Sequence, residues 1–164
     1  MRIGIISDTH DQRANVREAV GVFKAQSVEY VLHAGDITAP GTASLFAELP
    51  GVQLIAVLGN CDCERMALHA AVQVAGGEMH GRTYEGNLDG RAVYMTHVPH
   101  EIDRVVNSGK YDLVVYGHTH RQDIRRVGKT LLVNPGATRG SMSDPPEVVV
   151  VDLADMTATT HPLL

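Results

Sequence analysis

Five short apolar runs in this chain each lead directly into Asp, Asn or His, and that repetition constrains the fold more than any other feature. Residues 3–7 lead into Asp8-Thr9-His10, and residues 30–34 into Gly35-Asp36. Residues 54–58 lead into Gly59-Asn60-Cys61-Asp62, residues 92–96 into His97, and residues 113–116 into Gly117-His118-Thr119-His120. Short, nearly continuous apolar runs read as strands buried on both faces. Helix-like segments separate the first three. Residues 12–26 carry Val16, Val20 and Phe23 at helical spacing, and residues 40–49 form a second segment closed by Pro50-Gly51. Buried strands joined by helices imply a parallel sheet with right-handed crossovers. In such sheets ligands bind just beyond the carboxyl ends of the strands. The polar residues that follow the runs should therefore converge on one rim.

The second half of the chain changes character. Residues 82–88 and 91–96 flank Asp89-Gly90, a hairpin signal, and residues 123–127 and 130–133 flank Gly128-Lys129. Residues 101–108 read as a short helix and residues 112–116 as a further strand. Pro145-Pro146 precedes a last strand pair at 147–153 and 157–161. This many strands calls for an α/β fold with two packed sheets and helices outside. A length of 164 residues suits one domain spanning 1–164. Aromatic residues make up 4% and Trp is absent, so the core must be built from aliphatic side chains.

Charge narrows the partners. The formal net charge is −5 and no Lys/Arg run occurs, so there is no electrostatic footprint for a nucleic-acid backbone and no polybasic segment for a membrane surface. No stretch reaches the roughly 20 apolar residues of a membrane span. The apolar run at the N-terminus is too short for a signal peptide, which makes the cytoplasm the expected location. Cys61 and Cys63 are spaced poorly for a disulfide and do not fit C-x2-C, so they read as reduced thiols.

A single Asp or His after a strand is usually a cap or a turn former. Five such positions on one predicted rim point to metal ligation instead. The set holds two or three carboxylates, four imidazoles, one amide and no committed thiolate. Such mixed N/O ligation suits Mn²⁺, Fe²⁺, Zn²⁺, Co²⁺ or Ni²⁺. Seven candidate ligands (Asp8, His10, Asp36, Asn60, His97, His118 and His120) exceed what one catalytic ion uses. They suit two divalent ions about 3.5–4 Å apart, bridged by one carboxylate, as in phosphoryl transfer. Two such ions against Asp8, Asp36 and a bridging hydroxide leave a net charge of about +1, which favours an anionic substrate such as a small phosphate ester.

In this order, Asp8-x-His10, Gly35-Asp36, Gly59-Asn60-x-Asp62, His97 and Gly117-His118-x-His120 resemble the calcineurin-like metallophosphoesterases, specifically their small bacterial and archaeal phosphodiesterase branch. Cys61 and Asn134-Pro135-Gly136 are similar to that branch as well. The resemblance implies a four-layer α/β/β/α sandwich of two mixed β-sheets flanked by helices. It implies Asp8, His10, Asp36 and His120 at a first metal and Asp36, Asn60, His97 and His118 at a second, with manganese the first expectation. The reaction it implies is hydrolysis of a phosphate ester, most naturally a diester, by in-line attack of a metal-bridging hydroxide. Asn60, with the ions, holds the nonbridging oxygens. Asp62 is expected to orient a histidine or the loop backbone, or simply to stabilise a turn. Asn60, Cys61 and Arg139 are the candidate substrate contacts, although Arg139 reads more readily as a solvated side chain.

Larger family members have His where this chain has Cys61, and there it is thought to protonate the leaving group. A thiol is a poor substitute, so His33 and His100 are the alternative proton donors. His69, His80 and His161 fall outside the pattern and read as surface residues. Two other readings stand beside the diesterase. One is a phosphomonoesterase. The other is a non-catalytic scaffold, since a similar fold serves that role in eukaryotic retromer. A homo-oligomer is compatible with the sequence, which does not specify one.

Overall fold

The structure is a computed structural model that describes residues 1–142 and 144–164. Its first sheet grows from three parallel strands, β1 (Arg2–Ile6), β2 (Tyr30–His33) and β3 (Gln53–Ala56), paired in that order. Helix α1 (Arg13–Ala25) links β1 to β2. Helix α2 (Pro40–Ala43) and a 3₁₀ turn (Ser44–Glu48) link β2 to β3. Helix α3 (Arg65–Val74) then leads to the short parallel strand β4 (Glu78–Met79). The second sheet begins with the hairpin β5 (Thr83–Leu88) and β6 (Arg91–Thr96). Helix α4 (Ile102–Asn107) carries the chain to β7 (Leu113–Val115), which pairs in parallel with β6. Strands β8 (Gln122–Val127) and β9 (Thr130–Pro135) form a hairpin whose second strand lies parallel to β7. The last hairpin, β10 (Glu147–Asp152) and β11 (Thr157–Pro162), returns to the first sheet, where β10 runs antiparallel to β1. The sheet orders are β11-β10-β1-β2-β3-β4 and β5-β6-β7-β9-β8.

Strand alternation divides the interior into three apolar layers. Ile3, Ile5, Leu32, Ile55, Val149 and Val151 of the first sheet meet Val93, Met95, Leu113, Val115, Leu131 and Val133 of the second. Alternate residues Ile6, Val31, Leu54, Val148 and Val150 face α1, the 3₁₀ turn and α3 through Val16, Val20, Phe23, Phe46 and Leu68. On the outer face of the second sheet, Val114 and Leu132 pack against Ile102, Val105 and Val106 of α4. The result is the expected α/β/β/α sandwich of two mixed sheets. Strands buried on both faces explain why β1, β7, β9 and β10 read as continuous apolar runs.

The hairpin signals are realised as expected. Asp89 and Gly90 both take positive φ, 51° and 80°, the combination a tight two-residue hairpin needs. The segment at 40–49 differs from the single expected helix. Pro40 starts α2, but Ser44 Oγ donates to the Pro40 carbonyl at 3.1 Å, and the chain tightens there into the 3₁₀ turn. Helix α3 is absent from the sequence reading. Only Leu68 and Val72, four residues apart, mark its buried face, and the exposed apolar Met66 and Val74 blur that pattern.

Gly4 sits where β1 meets α1, and a β-carbon there would lie 2.5 Å from the Phe23 ring. Gly4→Ala should therefore cost about 1–3 kcal/mol in urea unfolding through overpacking. A loss below about 0.5 kcal/mol would mean that Phe23 moves aside freely.

Candidate metal centre

The rim predicted from the runs exists. The loops after β1, β2, β3, β6 and β7 bring Asp8, His10, Asp36, Asn60, His97, His118 and His120 together. Their ligand atoms form overlapping groups that could hold a metal: Asp8 with His10 and His120, Asp8 with Asp36 and His97, and His10 with Asp36 and Cys61. Asp8, Asp36 and His97 are buried and form the floor. His10 and His120 are half-buried, while Asn60, Cys61 and His118 are exposed and form the lip.

Asp8 divides its carboxylate between the protein and the site. Its Oδ2 accepts from Ser7 Oγ at 2.6 Å and from the His118 amide at 3.0 Å. Its Oδ1 is buried and has no hydrogen-bond partner. That oxygen faces three imidazole Nε2 atoms, of His120 at 3.1 Å, His10 at 3.7 Å and His97 at 4.0 Å. A bare buried carboxylate oxygen is costly unless a cation meets it. Asp36 is arranged similarly. Its Oδ1 accepts from the Cys61 amide at 2.8 Å, while Oδ2 lies 3.4 Å from His97 Nε2 and 3.6 Å from His10 Nε2. Asp36 Oδ2 thus stands between the imidazoles of His10 and His97.

The imidazoles are paired edge to face, His10 with His120 at 5.3 Å between centroids and His97 with His118 at 5.2 Å. His10 Nε2 and His120 Nε2 are 3.4 Å apart. Ligand atoms about 2.0–2.1 Å from a tetrahedral ion are spaced by about that amount. On the other side, Asn60 Oδ1 lies 2.9 Å from both His97 Nε2 and His118 Nδ1. His97 Nδ1 donates to the Ala34 carbonyl at 2.7 Å, which leaves Nε2 of the neutral ring as a lone pair facing an amide oxygen. A proton on the ring, a turned Asn60 amide or a metal would each relieve that contact. The donor set and the bare Asp8 oxygen fit divalent metal ions.

Protonation follows the same geometry. Burial pulls His97 down, but the Asp36 carboxylate and the field of Asp8 outweigh it, and its pKa sits above the ordinary 6.5. Burial keeps His10 below 6.5, against the pull of Asp36 and Asp8 and with help from Arg139 and His120. Asp36 is buried, which alone would raise it, yet His97 and the Cys61 amide hold it well below the carboxylate range.

The loops are held by residues that do not face the ions' place. Asp62 spends its carboxylate on backbone amides: Oδ2 on Asp36 at 2.9 Å and Gly59 at 2.7 Å, Oδ1 on Thr38 at 2.7 Å. It is a positioning residue that ties the β2 and β3 loops together, which is the backbone alternative expected for it. Asn134, fully buried at the end of β9, donates to the Gly117 carbonyl and to Thr119 Oγ1, and so fixes the loop of His118 and His120. A β-carbon on Gly59 would lie 2.1 Å from Asp36 Oδ1, and one on Gly117 would lie 2.1 Å from Ser7 Oγ, so both loops close only with glycine there. Asp8, His10, Asp36, His118 and His120 all take positive φ. Backbone strain of this kind, about 1–2 kcal/mol per residue, concentrates at functional sites.

Two expectations need correction. His33 cannot act as a proton donor to a substrate. It is fully buried, accepts from the Gly35 amide at Nδ1, meets Thr9 Oγ1 at Nε2, and burial lowers its pKa to about 4. Thr9 in turn donates to the Asp36 carbonyl, so His33 and Thr9 brace the Asp36 loop from behind. Cys61, a candidate substrate contact, stands at the lip with its Sγ within 4.8 Å of ligand atoms of His10 and Asp36, so the thiol is one of the groups that could hold a metal although the sequence committed no thiolate. Burial and the Asp36, Asp62 and Asp8 carboxylates raise its pKa, so the free thiol stays protonated. Both cysteines are unpaired. His100 is exposed on the wall of a groove of about 790 Å³ that opens from Asn60 and His97. Arg139 is exposed, and its amide donates to the Asp8 carbonyl at 3.2 Å. His69 is exposed as expected, whereas His80 is half-buried and pairs with Glu78 at 3.2 Å, and His161 on β11 is half-buried with Nε2 unpartnered among the described residues; none of the three belongs to the candidate metal groups.

No helix of the described residues is long and apolar enough to cross a membrane. Comparison with known proteins agrees with the geometry. The profile of the calcineurin-like phosphoesterase superfamily domain matches residues 1–156. A phosphodiesterase of Methanocaldococcus jannaschii is 34% identical over 155 residues, covering 93% of each chain. A solved archaeal phosphodiesterase superposes with a TM-score of 0.93 at 31% identity, covering 99% of this chain and 100% of that one. The phosphoesterase Yfce of E. coli shares the fold at a TM-score of 0.71, with 18% identity and full coverage of both chains. The chain belongs to the calcineurin-like phosphoesterase superfamily and carries that family's Asp/His cluster for divalent metals.

Proposed function

We propose that residues 1–164 form one phosphodiesterase domain that works with two divalent ions. Asp8, His10, Asp36 and His120 hold the first, and Asp36, Asn60, His97 and His118 the second. The observation that carries this reading is Asp36 Oδ2, placed 3.6 Å from His10 Nε2 and 3.4 Å from His97 Nε2, where one carboxylate oxygen serves both sets. Mixed imidazole, carboxylate and amide ligation suits Mn²⁺ first, then Fe²⁺, Zn²⁺, Ni²⁺ or Co²⁺. The diester preference is supported by the two phosphodiesterase relatives at 34% and 31% identity. Bound ions supply Lewis acidity and make a shared water a usable nucleophile at neutral pH.

The chain's own residues supply the rest. Asp8 and Asp36 provide the buried negative charge that selects cations at the floor. Asn60 turns Oδ1 toward His97 and His118, so its Nδ2, now 3.4 Å from Cys61 Sγ, sits at the lip where it can donate to a phosphate oxygen. Arg139 adds positive potential beside His10. As phosphorus gains the water oxygen and loses the ester oxygen, that ester oxygen must take a proton. With His33 sealed behind the floor, His100 on the groove wall is the remaining imidazole of the two considered. Asp62, Asn134, His33 and Thr9 orient the ligands without touching substrate.

The manganese-loaded protein should hydrolyse bis-p-nitrophenyl phosphate faster than p-nitrophenyl phosphate. Asp36→Asn and Asn60→Ala should each lower that rate by at least about a hundredfold while the protein stays folded by circular dichroism. Preference for the monoester would make it a phosphomonoesterase. No turnover with any of the five metals would move it to the scaffold reading. Near-normal rates in Asp36→Asn would remove the bridge.

Protonation gives a second check. The raised pKa of His97 stabilises the metal-free fold fully below about pH 6.5, and that contribution fades as pH rises through the folded value. Metal binding needs the ring unprotonated, so it runs the other way. From pH 6 to 8, metal affinity by calorimetry should rise; in the metal-free protein the loss of the His97 contribution is opposed by buried His33, whose pKa of about 4 makes the fold gain stability over the same range. An affinity independent of pH over that range would contradict ligation through His97.

A further inference from the structure

The groove that opens from Asn60 and His97 is built unlike the rest of the acidic surface. It holds about 790 Å³, within the range of small-molecule sites. Leu58, Tyr94 and Val98 give it an apolar side, with Val98 43% exposed, while Arg65, Arg82 and His100 bring polar heads to it. Both arginines are exposed, and no hydrogen bond or ion pair joins either side chain to another described residue. The one carboxylate among the lining residues, Glu101, is already engaged by Arg104. In a chain of net charge −5, two uncommitted guanidiniums beside an aromatic ring and next to a metal centre form a site for an anion with an organic body.

Resting on the diesterase reading, we infer that this groove receives one half of the substrate, and that this half is a nucleotide carrying a phosphate of its own. The scissile phosphorus lies at the ions between Asn60 and Arg139. The flanking nucleoside lies against Tyr94 and Val98. Its terminal phosphate meets Arg65 and Arg82, which recognise charge rather than base. Tyr94 and the apolar side favour a ring over a polyol, so a short oligonucleotide end fits better than a glycerol-based diester.

The test compares thymidylyl-thymidine with and without a 5′-phosphate on the manganese enzyme. It is repeated on a 5′-phosphorylated dinucleotide lacking its first base and on the Arg65→Gln/Arg82→Gln variant. The 5′-phosphate should raise kcat/KM about tenfold at low salt, less as salt screens the contact, and the ratio should fall toward one in the variant. Loss of the base should cost part of the gain; full retention would assign the groove to any phosphorylated polyol and overturn the nucleotide. A ratio of one in the wild type, or an unchanged ratio in the variant, overturns the groove while leaving the diesterase standing. A second readout needs no turnover. In metal-free protein, the arginine Nε–H signals of Arg65 and Arg82 should shift at lower concentrations of the 5′-phosphorylated dinucleotide than of its partner. Unshifted signals reject the inference even if bis-p-nitrophenyl phosphate is cleaved. Shifted signals without any diester cleavage would place the failure in the diesterase reading instead.

Discussion

The structure depends on a carboxylate oxygen with nothing to bond to. Asp8 is buried at the end of β1, one oxygen saturated by Ser7 and the His118 amide, the other bare among three imidazoles. Leaving such an atom unpaired costs at least about 1–3 kcal/mol, and more when it is charged. The fold accepts that cost because five strands end at the same rim. Each ends in a candidate ligand, and the two packed sheets set where those ends lie. The inter-sheet layer of Ile, Leu and Val fixes where strands stop, and the stops fix where the ligands stand. A cation relieves the Asp8 oxygen, the Asp36 carboxylate and the facing acceptors of Asn60 and His97 together.

Precision at the rim comes from backbone interactions rather than from the ligands. Asp62 gathers three amides from two loops, Asn134 pins the loop of His118 and His120, and His33 with Thr9 braces Asp36 from the helical side. These contacts hold several residues at positive φ that would otherwise relax. The cost of strain at the ligands is thus offset by buried hydrogen bonds one layer back. That arrangement explains why Gly59 and Gly117 leave no room for a side chain: the loops approach one another to within contact of the carboxylates.

Much of this was legible in the sequence. Apolar runs with two buried faces announced β1, β2, β3, β7 and β10, and the Asp89-Gly90 signal placed the β5–β6 turn. The seven candidate ligands were visible because each follows a run. Helix α3 was not, since only Leu68 and Val72 mark its buried face while the apolar Met66 and Val74 stand exposed. The return of β10 to β1 depends on a long-range pairing that no local pattern encodes. His33 was misread as an accessible imidazole for a related reason. Leu32 faces the inter-sheet layer, so strand alternation turns His33 toward Phe46 and the helices, a direction visible only once the layers are known. Arg65 and Arg82 sit in no motif and come to one groove only in three dimensions.

Anomalous diffraction from manganese-loaded crystals would locate the ions around Asp36. Two peaks about 3.5–4 Å apart are expected, one on each side of Asp36 Oδ2, with the one nearer Asp8 Oδ1 also within reach of His10 and His120. A single peak, or a pair that leaves Asp36 on one ion alone, would contradict the bridged pair.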